Sequence, residues 1–179
     1  MNKKNVSILL ICGSHRQDSM TRVAMQTLQG RLSLQGADCE IFDPSAGCAS
    51  VCGVMLSNEQ HQSLLEAVAR SSAVVLCTPE YNGSFSALIK SIIEHLGYPS
   101  TLSGKPTALL GVAAGGIGAV KALEHLQSVC LHNGAVVIPP YVSIHHVDQQ
   151  FDRQGNCTND KIIQLLDALV LSLLAFVRR

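Results

Sequence analysis

The chain has 179 residues, 47% of them hydrophobic and only 15% charged, with a formal net charge of zero at pH 7. That length buries a substantial core in one domain, and the apolar share excludes long disorder. Neutrality argues against nucleic acid, which needs a basic face, and against the acidic docking face of a small electron carrier.

The first apolar run, VSILLI (6–11), is short and ends in a Gly-Ser turn, so it reads as a buried strand and not as the core of a signal peptide. A helix is predicted over 19–35 and ends at Gly36. The half-buried strand DCEIF (38–42) follows, then a small-residue loop over 44–57. A helix over 58–71 leads to the strand AVVLC (73–77), and a helix over 84–97 stops at Gly97. The strand TALLGV (107–112), a helix over 117–132 closed by Gly134, and the strand AVVIP (135–139) complete the alternation. Residues 139–158 are too long for a simple connection, and such loops are often functional or interfacial. The last helix, 159–178, is apolar almost all round, so it needs cover from the sheet and from a second subunit. Its run ALVLSLLAFV is about half of the ~20 apolar residues that a membrane span requires.

Five strands alternating with five helices predict an α/β fold. The expected form is a three-layer α/β/α sandwich, flavodoxin-like, with a parallel sheet in the order 2-1-3-4-5 and one domain over 1–179. The seven cysteines are odd in number and sit largely in apolar segments. They read as free thiols in a reducing compartment, so a soluble cytoplasmic protein is expected.

Doubly wound sheets bind ligands at the carboxyl ends of their strands. The first such loop reads GSHRQDS (13–19) and opens a helix, whose N-terminal amides and partial positive charge favour phosphate. Ser14, Ser19 and Thr21 add hydroxyl donors, Arg16 adds a charge-assisted fork, and Gly13 allows a tight turn. Ser19 is equally an ordinary N-cap and Arg16 an ordinary solvated side chain, and this loop alone leaves both readings open. Neither G-x-x-x-x-G-K-[ST] nor G-x-G-x-x-G is present, so a phosphate monoester fits better than a nucleoside triphosphate or a dinucleotide. In the predicted strand order the loop TPEYNGS (78–84) faces the first across one crevice. Tyr81 offers an aromatic face there, and Asn82-Gly83 form a turn tolerant of positive φ. A third loop, AAGGIG (113–118), ends the fourth strand at the same edge.

GSHRQDS together with TPEYNGS resembles the NADPH-dependent FMN reductase family, whose members include quinone, chromate and azo-dye reductases. The resemblance runs from about Val6 to the final helix. It implies FMN as bound cofactor, NADPH or NADH as co-substrate, and a homodimer or homotetramer. It also implies phosphate contacts from Ser14, Arg16, Ser19 and Thr21, with backbone help from His15 and Met20. Ring contacts would come from Pro79, Glu80, Tyr81, Asn82 and Gly83, joined by Gly115 and Gly116. Lys90-Ser91 and Glu94 depart from the Lys-Asn and Asp usual in the family, and the 44–57 loop is Cys-, Gly- and Ser-rich.

The implied reaction moves hydride from nicotinamide C4 to flavin N5 and then to a quinone, free flavin, azo or nitro compound, with no acid-base residue. Donors from the 113–118 loop and the helix after it would stabilise negative charge at N1–C2=O. The alternative is a flavin-binding electron-transfer or redox-sensing module with little turnover. Cys48 and Cys52 have only His61 nearby, short of the four ligands zinc takes, so no metal is expected. His145, His146 and Asp148 read as a solvated or interfacial cluster. NGSFS is not the G-x-S-x-G elbow, so Ser84 is placed at a helix start and Glu80 in positioning.

Overall fold

The computed structural model describes residues 6–44 and 56–179. In chain order the elements are β1 (Val6–Cys12), α1 (Met20–Leu34), β2 (Ala37–Phe42), α2 (Asn58–Arg70), β3 (Ala73–Tyr81) and β4 (Ser84–Phe85). Then come α3 (Ala87–His95), β5 (Pro106–Val112), α4 (Val120–His132), β6 (Val136–Val137), β7 (Val142–Ile144) and α5 (Asp160–Val177). The strands β2-β1-β3-β5-β6 lie side by side in that order and pair in parallel. This is the predicted 2-1-3-4-5 arrangement, with two departures. β3 runs on to Tyr81 and folds back through the short antiparallel β4, a hairpin where a loop was expected. The fifth strand is split: Val136–Val137 pair with Pro106–Thr107, the chain leaves the sheet at Pro139-Pro140, and Val142–Ile144 rejoin it beside Leu110–Val112. Prolines carry no N–H to give to a ladder, which accounts for the gap.

The central strands are apolar on both faces because both are covered. Ile8, Leu10 and Cys12 point into a core shared with α1 and α5, while Leu9 and Ile11 point into one shared with α2, α3 and α4. All five are fully buried. The edge strand β2 stays half-buried, as DCEIF suggested. Gly36, Gly97 and Gly134 close their helices in the left-handed conformation. The helix α5 buries Ile162, Leu166, Leu169 and Leu173, and Asp167 takes a bidentate ion pair from Arg31 of α1, with both bonds at 2.6 Å. Leu165 and Leu171 remain 45% and 57% exposed on it.

Among the described residues no helix is long and apolar enough to cross a membrane. Cys12, Cys39, Cys77, Cys130 and Cys157 are free thiols. Cys48, Cys52 and most of the 44–57 loop lie outside the described residues.

Candidate functional site

The first loop leaves β1 through Gly13, whose N–H donates to the Cys77 carbonyl of β3 at 2.7 Å. Its own carbonyl accepts from the Ser86 hydroxyl at 2.7 Å. A Cβ at residue 13 would lie 2.4 Å from Ile89 Cγ1 and 2.6 Å from the Cys77 carbonyl oxygen. Glycine is required there for close approach to β3 and α3, and its φ is not positive. Beyond it, Ser14, Ser19 and Thr21 are buried, Met20 is half-buried, and His15 and Arg16 are exposed. Ser19 is the N-cap of α1, its hydroxyl accepting the Arg22 N–H at 3.3 Å. A capping hydroxyl still has a proton to donate, so the two readings of Ser19 are compatible.

The first turn of α1 carries no acidic side chain. Among the described residues nothing accepts from the backbone N–H groups of His15, Gln17, Asp18, Met20 or Thr21. A helix start with its amides open and no acid in its first turn is a place for an anion, and the carboxylate beside it, Asp18, is paired with Arg16. The Arg16 guanidinium pairs with the exposed Asp18 at 3.4 Å. Asp18, and after it the Tyr81 hydroxyl, push the Arg16 pKa up, so the guanidinium is a permanent cation.

The opposite wall is the β3–β4 hairpin. Asn82 and Gly83 sit at φ 51° and 74°, both positive, as a two-residue type I′ turn requires. Pro79, Glu80 and Tyr81 lie on β3 itself. Ser84 belongs to β4, and Ser86, not Ser84, caps α3 by accepting the Ile89 N–H at 3.2 Å. The Glu80 carboxylate accepts the Ala122 N–H in the first turn of α4 at 3.0 Å. Ala119, the N-cap residue of that helix, has no capping side chain, so Glu80 supplies the cap from another strand. Ser84 Oγ lies 3.2 Å from His125 Nδ1, a second tie between hairpin and α4.

The third loop leaves β5 at Val112. The Ala113 carbonyl accepts the Val147 N–H, the Gly115 carbonyl accepts the His146 N–H, and His146 Nδ1 donates to the Ala114 carbonyl at 3.1 Å. His146 holds this position in the left-handed region, at φ 42°. The histidine read as solvated or interfacial therefore braces the loop. The exposed amides of Gly115 and Gly116 have no partner among the described residues. Because Glu80 sits at the start of α4, its charge offsets the positive end of that helix.

These walls enclose a cavity of about 690 Å³ at the carboxyl ends of β1, β3 and β5. From the first loop it is lined by Ser14, Arg16, Ser19, Met20 and Thr21, and from the hairpin by Pro79, Glu80 and Tyr81. Val112 to Ala114 and the unexpected Asp18, Val147 and Asp148 complete it. His15, Asn82, Gly83, Gly115 and Gly116 lie outside this lining. A larger concavity of about 800 Å³ opens at the other edge of the sheet, between the C-terminal ends of α3 and α4. The helix ends that line it are C-terminal ones, which present carbonyls and not amides. The residues around the first cavity fit FMN: hydroxyls, open amides and a cation at one end, an aromatic face and a hairpin at the other.

A parallel sheet in this order, with its crevice at the β1, β3 and β5 ends, defines a flavodoxin-like α/β protein. The profile of the NADPH-dependent FMN reductase family matches residues 6–149. The chain is 30% identical to an NAD(P)H-dependent FMN reductase of Pseudomonas aeruginosa, over 98% of this chain and 97% of that protein. It is 28% identical to a 2-hydroxy-1,4-benzoquinone reductase of Burkholderia, covering 97% of each. Among solved structures it is similar to FerB, a flavoenzyme NAD(P)H:(acceptor) oxidoreductase from Paracoccus denitrificans, with a TM-score of 0.79, 26% identity and 96% and 97% of the two chains covered. The chain belongs to the NADPH-dependent FMN reductase family. It is an FMN-dependent oxidoreductase with NAD(P)H as co-substrate, and these reductase relatives give no support to the alternative of an electron-transfer or redox-sensing module with little turnover.

Proposed function

We propose that the whole chain is one domain whose crevice holds FMN with its phosphate on the first loop and its ring against the hairpin. One observation carries this reading: a helix start with open amides, buried serines and no acid in its first turn faces Tyr81 across a cavity of about 690 Å³. Ser14, Ser19 and Thr21 donate to phosphate oxygens, Arg16 supplies the charge, and the amides of His15 and Met20 assist. Pro79, Tyr81, Asn82 and Gly83 bound the ring, and Gly115 and Gly116 offer amides to its electron-rich edge. Glu80 shapes the wall as the cap of α4.

When bound, FMN supplies the hydride relay between NAD(P)H and an acceptor. The chain's own residues bind and orient; no side chain is assigned a proton transfer. The acceptor is a small planar compound such as a quinone, a free flavin, or an azo or nitro compound. The Burkholderia relative, named for a benzoquinone, favours a quinone. Co-substrate and acceptor occupy the same face in turn, which gives ping-pong kinetics. Exposed Leu165 and Leu171 on α5 favour a homodimer or homotetramer. Free thiols favour a cytoplasmic setting.

Arg16→Ala tests the phosphate assignment. It removes a charge-assisted hydrogen bond of roughly 1.5–3 kcal/mol, so FMN binding weakens about ten-fold or more while riboflavin binding holds. Equal losses for both ligands would remove Arg16 from the phosphate site. For the reaction, NADPH or NADH bleaches the bound flavin without any partner protein, a quinone restores the colour, and initial rates give parallel double-reciprocal lines. If dithionite bleaches the flavin and neither nicotinamide does, the proposed reaction is wrong.

A further inference from the structure

The side chain of Arg22, on the first turn of α1, turns back beneath the first loop. Its Nη1 donates to the carbonyl oxygens of Arg16 and Gln17, at 2.9 and 3.1 Å. Its Nε donates to the Asp43 carboxylate at the end of β2, at 2.6 Å. The Arg22 and Asp43 side chains are each only 21% exposed, so the pair is shielded from solvent more than the exposed Arg16–Asp18 pair. Asp43 holds the Arg22 pKa above its ordinary range. In a trans peptide the C=O of one residue and the N–H of the next point in opposite directions. Fixing the Arg16 and Gln17 carbonyls on Arg22 therefore turns the amides of Gln17 and Asp18 the other way. Those are two of the amides that have no acceptor among the described residues.

We infer that Arg22, oriented by Asp43, is a positioning residue for the flavin phosphate: it holds two peptide planes of the first loop so that the Gln17 and Asp18 amides face the crevice. Arg22 acts through the backbone and does not touch the ligand. The planar guanidinium matters because one group must reach two carbonyls and a carboxylate in a fixed geometry, which an ammonium cannot do. This inference rests on the reading of the first loop as the phosphate site.

The experiment measures FMN and riboflavin affinity by calorimetry on the apoprotein and on the variants Arg22→Ala, Arg22→Lys, Asp43→Asn and Arg16→Ala. Arg22→Ala is expected to weaken FMN about ten-fold, with riboflavin within about two-fold of the parent, because one guanidinium orders two donors. Arg22→Lys is expected to fail to restore FMN affinity. Asp43→Asn, which keeps a hydrogen-bond acceptor and is the gentler change for folding, is expected to weaken FMN several-fold and leave riboflavin unchanged. Stronger FMN binding by Asp43→Asn would mean that Asp43 competes with phosphate for a direct Arg22 contact, which overturns the inference. Full rescue by Lys, or equal losses for FMN and riboflavin in Arg22→Ala, overturns it as well. If Arg16→Ala loses FMN selectively and Arg22→Ala does not, the inference alone fails. If neither is selective, the phosphate reading fails with it.

Discussion

Replacing Gly13 by alanine tests whether the junction of β1, β3 and α3 sets the shape of the crevice. The added methyl would sit 2.4 Å from Ile89 Cγ1 and 2.6 Å from the Cys77 carbonyl oxygen. The carbonyl belongs to a sheet strand and cannot swing aside, so the first loop must move. Overpacking of this kind costs about 1–3 kcal/mol. The movement also lengthens the bonds from Gly13 N–H to Cys77 and from Ser86 to the Gly13 carbonyl, each contributing about 0.5–1.5 kcal/mol. The total is about 2–6 kcal/mol, which at about 2–4 °C per kcal/mol for a chain of this length lowers the midpoint by at least ~4 °C. Gly30 makes the opposite control. It is exposed on α1, and a Cβ there meets nothing within 4 Å, so Gly30→Ala is expected to stabilise by about 0.5–1 kcal/mol. Thermal and urea unfolding of the apoprotein, with FMN titration of each variant, reads both signs. A Gly13→Ala protein as stable as the parent, and binding FMN as tightly, would refute the packing argument.

Glu80→Ala removes the cap of α4 and is expected to cost about 0.5–2 kcal/mol, with faster hydrogen exchange at the Ala122 amide and similar losses for FMN and riboflavin. Burial raises the Cys12 thiol to about 11 and Cys130 to about 12, and raises Cys77 well above its ordinary range. At pH 8 a thiol reagent should therefore leave these three unreacted in the native protein, while all seven cysteines react in denaturant after anaerobic purification. The same burial makes stability alkali-sensitive: the folded state holds thiol protons more tightly than the unfolded chain. Its contribution is complete below pH 9 and fades as pH rises through 9 to about 12, visible as a falling urea midpoint.

The five-strand order was legible because strands covered on both faces must be continuously apolar, and VSILLI, AVVLC and TALLGV are. The Asn82-Gly83 turn was legible because few residue pairs adopt two positive φ values in succession. The last residues of β3 were not: Glu80 and Tyr81 pair with a two-residue strand at the rim, where the sheet no longer imposes an apolar pattern. Ring contacts assigned across 79–83 mixed side chains of two kinds, since Tyr81 faces the cavity and Glu80 also reaches across to a helix. The places of Asp148 in the cavity wall and His146 against the third loop carry no local signal, because the chain brings them there only after it leaves and re-enters the sheet around Pro139-Pro140. The Arg22–Asp43 pair was hidden for a similar reason: it joins a helix start to the end of an edge strand.

The Glu80 cap also sorts charge across the crevice. Of the helices that begin around it, α1 starts with open amides and no acid in its first turn, α3 is capped by its own Ser86, and the start of α4 is occupied by a carboxylate from β3. Small anions such as inorganic phosphate or sulfate consequently have one place to compete, and it is the α1 end. They should act as competitors of FMN and leave riboflavin occupancy untouched, so the buffer anion becomes a lever on cofactor loading in this protein.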